Sequence, residues 1–342
     1  MLRSCFLFFV TIIFIQNIFT QPAPINRKQF FLGDSVINVQ LTANIKKLKN
    51  DKTKIVWLPA HIVMNFADTL VIDENIRIEP RGSYRKEHCD LASLMLDFNT
   101  NTSPQLSDLK KLKLVGGCHD NYSSEELLLR EYLIYKIYNI LSPMSFRVRL
   151  LHITYSDSLQ KMKPYTQYAF LIEDMKDVAA RNNCKEVKNK IFNAEQTDRH
   201  QITFVSVFQY MIGNTDWSVP NYHNVKLMVP LTDTFAKPFP VPYDFDYCGV
   251  VNAPYATPSE YLDLKNVRDR YYMGYERTME ELQLSINVFK EKQEMIMKYI
   301  NDFYLLSHTD RKDVEIYLEQ FFDKLKNESL IRYTFITNAV NK

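Results

Sequence analysis

The stretch Ile212-Gly213-Asn214-Thr215-Asp216-Trp217-Ser218-Val219-Pro220-Asn221-Tyr222-His223-Asn224 is the densest run of unusual residues in the chain. It follows a run from Ile202 to Met211 that reads as an apolar helix, and it precedes an apolar strand from Val225 to Val229. Polar side chains are thus gathered in a loop between two buried elements, which is where a rigid scaffold can present reactive groups. Asp216 offers a carboxylate, and a downstream Asn offers an amide oxygen for a metal. Asn221 and Asn224 both qualify; Asn224 is preferred because it leads directly into the strand. Taken alone, Asn-Thr-Asp is also the pattern of an Asx turn or a helix cap. His223 has no His/Cys/Asp cluster at ligand spacing around it and is set aside as a base or metal ligand.

A second run, Val241-Pro242-Tyr243-Asp244-Phe245-Asp246-Tyr247-Cys248-Gly249, places two carboxylates on either side of an apolar residue. Phosphoryl transfer needs Mg²⁺ held by a carboxylate and an amide oxygen, plus one Asp at the attacking hydroxyl, and these two runs contain that set. The first loop resembles the Gly-Asn-x-Asp catalytic loop of HipA-type, phosphatidylinositol and secretory-pathway kinases, and the second is similar to their Asp-Phe-Gly motif. The Pro-Tyr-Asp-Phe-Asp form resembles most the CotH kinases and related exported proteins. The likeness covers roughly Arg77 to Gly249.

That resemblance implies an α+β, bilobal protein-kinase-like fold, with a β-rich N-lobe and a mostly helical C-lobe, binding ATP and Mg²⁺ in the cleft between them. It implies Asp216 as the catalytic residue and Asn224, Asp244 and Asp246 as metal ligands, with Asp246 standing where the motif's Gly would be. Lys113, in Leu112-Lys113-Leu114-Val115, takes the place of the phosphate-pairing Lys, and Glu131 that of its ion-pair partner. Gly82, in Arg81-Gly82-Ser83-Tyr84-Arg85, stands for the phosphate-covering loop, and Glu173 for the hinge beside the adenine. The implied activity is transfer of the ATP γ-phosphate to a protein or small-molecule hydroxyl. The alternative is a pseudokinase, an exported binding or assembly protein without turnover.

Working outward, short apolar or alternating runs at 36–41, 55–58, 69–72, 76–78 and 94–98 read as strands. Leu129, Leu133, Ile137 and Leu141 recur every fourth residue and predict a helix over 123–141. Strands are predicted at 146–154 and 167–172, and long helices near 280–306 and 311–325. The expected division is a signal peptide at 1–20, a β-rich N-lobe with one helix and the hinge at 21–181, and a helical C-lobe at 182–342. One positive charge at Arg3 and the apolar run beginning at Cys5 have the shape of a signal peptide, shorter than the roughly 20 apolar residues of a membrane helix. The expected location is therefore exported, periplasmic or extracellular, with no membrane span after signal removal. An uncleaved anchor is the other reading of that run.

The formal charge of +2 and the lack of a basic block exclude nucleic acid as an expected partner. With 46% hydrophobic residues and no low-complexity tract, the chain reads as folded throughout. Four cysteines remain beyond the signal, Cys89, Cys118, Cys184 and Cys248. An oxidising compartment would permit a Cys89–Cys118 disulfide, with free buried thiols as the alternative.

Overall fold

The structure, a computed structural model, describes all residues except 1–23, 51–55, 67–69, 101, 103, 120, 189, 234, 341 and 342. The predicted signal peptide at 1–20 lies outside the described residues. Among those described, no helix is long and apolar enough to cross a membrane.

Seven strands carry the first half of the chain: β1 (Ile37–Ala43), β2 (Leu58–Phe66), β3 (Leu70–Arg81), β4 (Ser93–Asp97), β5 (Lys111–Gly116), β6 (Val148–Asp157) and β7 (Tyr165–Ile172). In β1 every second side chain, Ile37, Val39, Leu41 and Ala43, is buried while Asn38 and Gln40 are exposed, the alternation of a strand with one face on a core. Ile62 and Met64 of β2, Ile72, Ile76 and Ile78 of β3 and Leu151 and Ile153 of β6 fill the same interior. β6 pairs along one edge with β7, antiparallel, and along the other with β1, parallel, with Ile37 opposite Leu151 and Ala43 opposite Asp157. This last pairing joins the two ends of the sheet, so the strands run β1-β2-β3-β4-β5-β7-β6 around a closed barrel.

Closure overturns the expected bilobal protein-kinase-like fold. The strands assigned to a β-rich N-lobe form instead a mixed barrel without a free edge, because β6 is long enough to pair on both sides. Three short helices, α1 (Arg27–Phe30), α2 (Ile45–Asn50) and α3 (Ser83–His88), decorate the barrel, and α4 (Tyr122–Leu141) lies between β5 and β6 in the chain. The Cys89–Cys118 disulfide forms, tying the end of α3 to the segment after β5, while Cys184 and Cys248 are free and buried.

The remainder is mostly helical: α5 (Met175–Arg181), α6 (Arg199–Ile212), α7 (Met279–Asp302), α8 (His308–Leu325) and α9 (Glu328–Arg332). A three-stranded sheet of β8 (Cys184–Val187), β9 (Val225–Pro230) and β10 (Phe239–Pro242) is set among them in the order β10-β9-β8. Val148, Leu150, Phe170 and Ile172 on the barrel wall share one apolar cluster with Leu133, Phe208, Phe289 and Phe321. The barrel therefore has two faces to satisfy, an interior and a wall, and α4 is buried nearly all round because it is wedged between that wall and α7.

Candidate functional site

Asp216 is positioned by the end of α6. Gly213 closes that helix in the left-handed region at φ 69°, where a residue with a Cβ is strained. The next residue, Asn214, is buried; its amide donates to Gln209 Oε1 at 3.0 Å, and its Oδ1 accepts the Asp216 N–H at 2.9 Å. The Asx turn and the candidate site are thus the same object. Beyond it, Val219-Pro220-Asn221-Tyr222 makes a tight turn closed by Tyr222 N–H donating to Val219 O at 3.1 Å, with Pro at the position where its fixed φ suits a turn. Ser218 and His223 pair across this turn and bring His223 back onto Asp216, with Nε2 2.7 Å from Oδ1. Asn224 Nδ2 donates to the Asp216 carbonyl at 2.8 Å and to Oδ2 at 2.9 Å. Asn221 sits exposed in the turn, whereas Asn224 is buried.

The second loop is tied to the first. Tyr243 N–H donates to Asn224 O at 3.0 Å, and Asp244, in the left-handed region at φ 63°, donates its N–H to Tyr135 Oη at 2.8 Å. Phe245 is fully buried against Tyr135 and Phe208, with ring centroids 4.7 and 5.6 Å away, and so anchors the two carboxylates that flank it. Gly249 N–H donates to Gly213 O at 3.0 Å and Val250 N–H to Ile212 O at 3.1 Å, joining the far ends of both loops.

The result is a cavity of about 390 Å³ whose lining includes Asp216, His223, Asn224, Asp244 and Asp246 together with Arg81, Gly82, Arg85 and Val115. That volume lies in the range of small-molecule sites. Gly82 leads into α3 at φ 80°, a conformation that favours glycine. Lys113 lies two residues before Val115 on β5, with Nζ 5.8 Å from the Tyr243 ring. Burial, together with Arg81 and Lys226, holds its pKa below the usual lysine value.

Two expected contacts are replaced. Glu131 pairs not with Lys113 but with Arg85, at 3.7 Å, and the same guanidinium reaches Asp246 at 3.6 Å. Glu173 is engaged away from the cavity, accepting Arg181 Nε at 3.1 Å and the Arg147 N–H at 3.0 Å, so its carboxylate secures the segment after β7. The site thus brings together Asp216, Asn224, Asp244, Asp246 and Gly82, with Lys113 and Glu131 adjoining it. Arg81, Arg85 and Lys226 were missed, and His223 was set aside. For His223 the signal was the Pro220-Asn221 turn, which folds a spacing of no apparent meaning into a contact; for Arg85 it was a basic residue placed one turn into a helix that the sequence did not announce.

No family model matches the chain, and no curated protein or solved structure is similar to it. The likeness to CotH kinases therefore rests on the two motifs alone.

The carboxylates repel one another. Burial pushes Glu131 well above the usual carboxylate range, with Asp246 adding to the effect and Arg85 opposing it. Asp246 is raised to about 6 by burial and by Asp244, again against Arg85. Because its folded value exceeds the ordinary 3.8, the folded state holds the proton longer than the unfolded chain. The corresponding stability is fully present below pH 4 and is lost as the pH rises through 6. A shift of this size corresponds to at most about 3 kcal/mol. Denaturant unfolding of the Asp246→Asn protein is expected to show a correspondingly smaller decline between pH 4 and pH 7.5 than wild type. Equal slopes would contradict the assignment.

The donor set is chemically suited to Mg²⁺: two carboxylates and one amide, all hard oxygen groups. Among the described residues no three His, Cys, Asp or Glu side chains are placed to hold a metal by themselves. Mg²⁺ commonly takes only one or two carboxylates and completes its shell with water and substrate phosphates, so the set fits.

Proposed function

We propose that the cleft binds a nucleoside triphosphate with Mg²⁺ and transfers the terminal phosphoryl group to an acceptor hydroxyl outside the cytosol. One observation carries this reading: Asp216, Asn224, Asp244 and Asp246 line a single cavity that Arg81 and Arg85 also line. Carboxylates and guanidinium groups lining one cavity suit a ligand that is both anionic and metal-bound. Asn224, Asp244 and Asp246 would hold the cation, which supplies charge neutralisation at the phosphates when bound.

Asp216 faces the acceptor. The acceptor O–H bond breaks with its proton passing to the Asp216 carboxylate, and the oxygen's electron pair forms the new bond to phosphorus. The bridging P–O bond breaks, its electron pair leaving on the diphosphate. Holding Asp216 between His223 and Asn224 fixes its direction before the acceptor arrives. Arg81 and Lys113 meet the phosphates, and the disulfide is in keeping with an oxidising compartment.

A non-catalytic binding protein is the second reading. It is favoured by Arg85, whose positive charge already lies beside Asp246, where a metal would otherwise act. Calorimetric titration with ATP, with and without Mg²⁺, separates the two. The transferase is expected to give heat that depends on the metal, together with transfer of radiolabel from γ-labelled ATP to an acceptor or to water. Binding heat indifferent to Mg²⁺, with no label released, would leave the binding protein.

A further inference from the structure

Three cations converge at the end of the cleft beside Asp244, from three different strands. Arg81 ends β3 and lines the cavity, Lys113 comes from β5, and Lys226 comes from β9 of the small sheet. Lys113 Nζ and Lys226 Nζ lie 5.8 and 5.6 Å from the centroid of one ring, that of Tyr243. All three residues are half-buried. Among the described residues none of them has a carboxylate within 4 Å, in contrast to Arg85, Arg130, Arg181, Arg199 and Arg277, each of which does.

Like charges held together and partly out of water repel one another, and a fold tolerates them most readily where a counter-anion is supplied from outside. The mutual effect is felt at Lys113, whose ammonium is held below its ordinary pKa first by burial and then by Arg81 and Lys226. Asp174 and, less strongly, Asp244 oppose this, without the contact of an ion pair. Two ammonium groups set over the same aromatic ring, with a guanidinium on the cavity wall, offer several separate donors rather than one focal point. A chain of phosphates presents oxygens in the same way, whereas a single phosphate would engage only part of the set.

We infer that Arg81, Lys113 and Lys226 form a polyphosphate subsite that binds two or more linked phosphates without a metal, and that Lys226 is the residue that distinguishes such a chain from a single phosphate. The inference rests on the phosphoryl-transfer reading for its choice of ligand, but not for its test. Lys226 is the second residue of the strand that immediately follows Asn224, so one strand entry positions both the amide and the ammonium.

The test is calorimetry on the intact protein in EDTA, with tripolyphosphate, ATP, AMP and orthophosphate as probes. Tripolyphosphate and ATP are expected to bind at least about ten-fold more tightly than orthophosphate or AMP, and to compete with each other. Lys226→Ala should weaken tripolyphosphate about ten-fold and orthophosphate much less. Lys226→Arg should keep most of the affinity, and Lys185→Ala, at the exposed position of β8, should change nothing. Unchanged melting temperatures would show that the variants fold. Equal affinity for orthophosphate and tripolyphosphate, or no loss in Lys226→Ala, overturns the subsite. If tripolyphosphate binds as expected but labelled ATP is never turned over, the subsite stands and the transferase reading falls.

Discussion

Asp216→Ala protein is expected to lose phosphoryl transfer by about a thousand-fold or more while its nucleotide affinity and melting temperature stay close to wild type. A positioned proton acceptor contributes roughly 10²–10⁴ in rate, and removal of this one also frees His223 and Asn224, both of which point at it. The nucleotide should still bind, because the cations that line the cavity, Arg81 and Arg85, are untouched. The fold should persist because the Asx turn depends on Asn214 and on the Asp216 backbone N–H, neither of which the substitution touches. Single-turnover transfer from γ-labelled ATP, with calorimetry for affinity, reads both quantities. If the variant keeps more than a tenth of the wild-type rate, Asp216 does not take the proton.

Gly213→Ala should be a strongly damaging conservative change, costing about 2–5 kcal/mol. A Cβ at this position costs about 1–2 kcal/mol for the left-handed backbone alone. It would also fall 2.1 Å from Tyr317 Oη, which donates to Arg268 O at 3.0 Å and cannot retreat without giving up that bond. The ring is gripped as well, with the Arg270 guanidinium 3.8 Å and that of Arg268 4.8 Å from its centroid. Overpacking of this kind adds about 1–3 kcal/mol. Gly249→Ala meets the same hydroxyl at 2.4 Å and, less severely, the Val267 carbonyl oxygen at 3.0 Å, but lacks the left-handed backbone strain. Combining each change with Tyr317→Phe, which deletes the hydroxyl, should therefore rescue Gly249→Ala more fully than Gly213→Ala. Urea unfolding of the four variants measures this; a Gly213→Ala cost under about 1 kcal/mol would show that the two loops do not depend on the glycine junction.

The elements legible in the sequence were those with an uninterrupted period. The helix predicted at 123–141 is α4, and its Leu129, Leu133, Ile137 and Leu141 are all buried. β3 was divided into 69–72 and 76–78 because Asp73-Glu74-Asn75 resembles a turn. In the fold Asp73 and Asn75 face solvent, and Glu74 points inward with its carboxylate satisfied by the N–H groups of Gln105 and Leu106 at 2.6 and 3.1 Å. A charge at an inward position looks like a break only until its partners, thirty residues away, are known. Barrel closure was illegible for a related reason: the pairing of Ile37 with Leu151 leaves no local trace in either segment. The two acidic motifs could be read because each is contiguous. Of the cations near them only Lys113 was named as a site residue, and only through the resemblance; Arg81 and Lys226 lie on separate strands and each alone resembles an ordinary solvated residue.

The parallel seam between β1 and β6 also bears on how the chain is made. A strand near the start of the chain must wait until residues 148–157 have been synthesised before its second edge is covered. During that interval the nascent barrel is an unrolled ribbon with exposed backbone donors and acceptors, the form most prone to stick to a neighbouring chain. Seams between segments so distant in sequence assemble slowly. Biogenesis of this protein should accordingly depend on holding factors along its route, and heterologous production should yield more soluble material when translation is slowed or the temperature lowered.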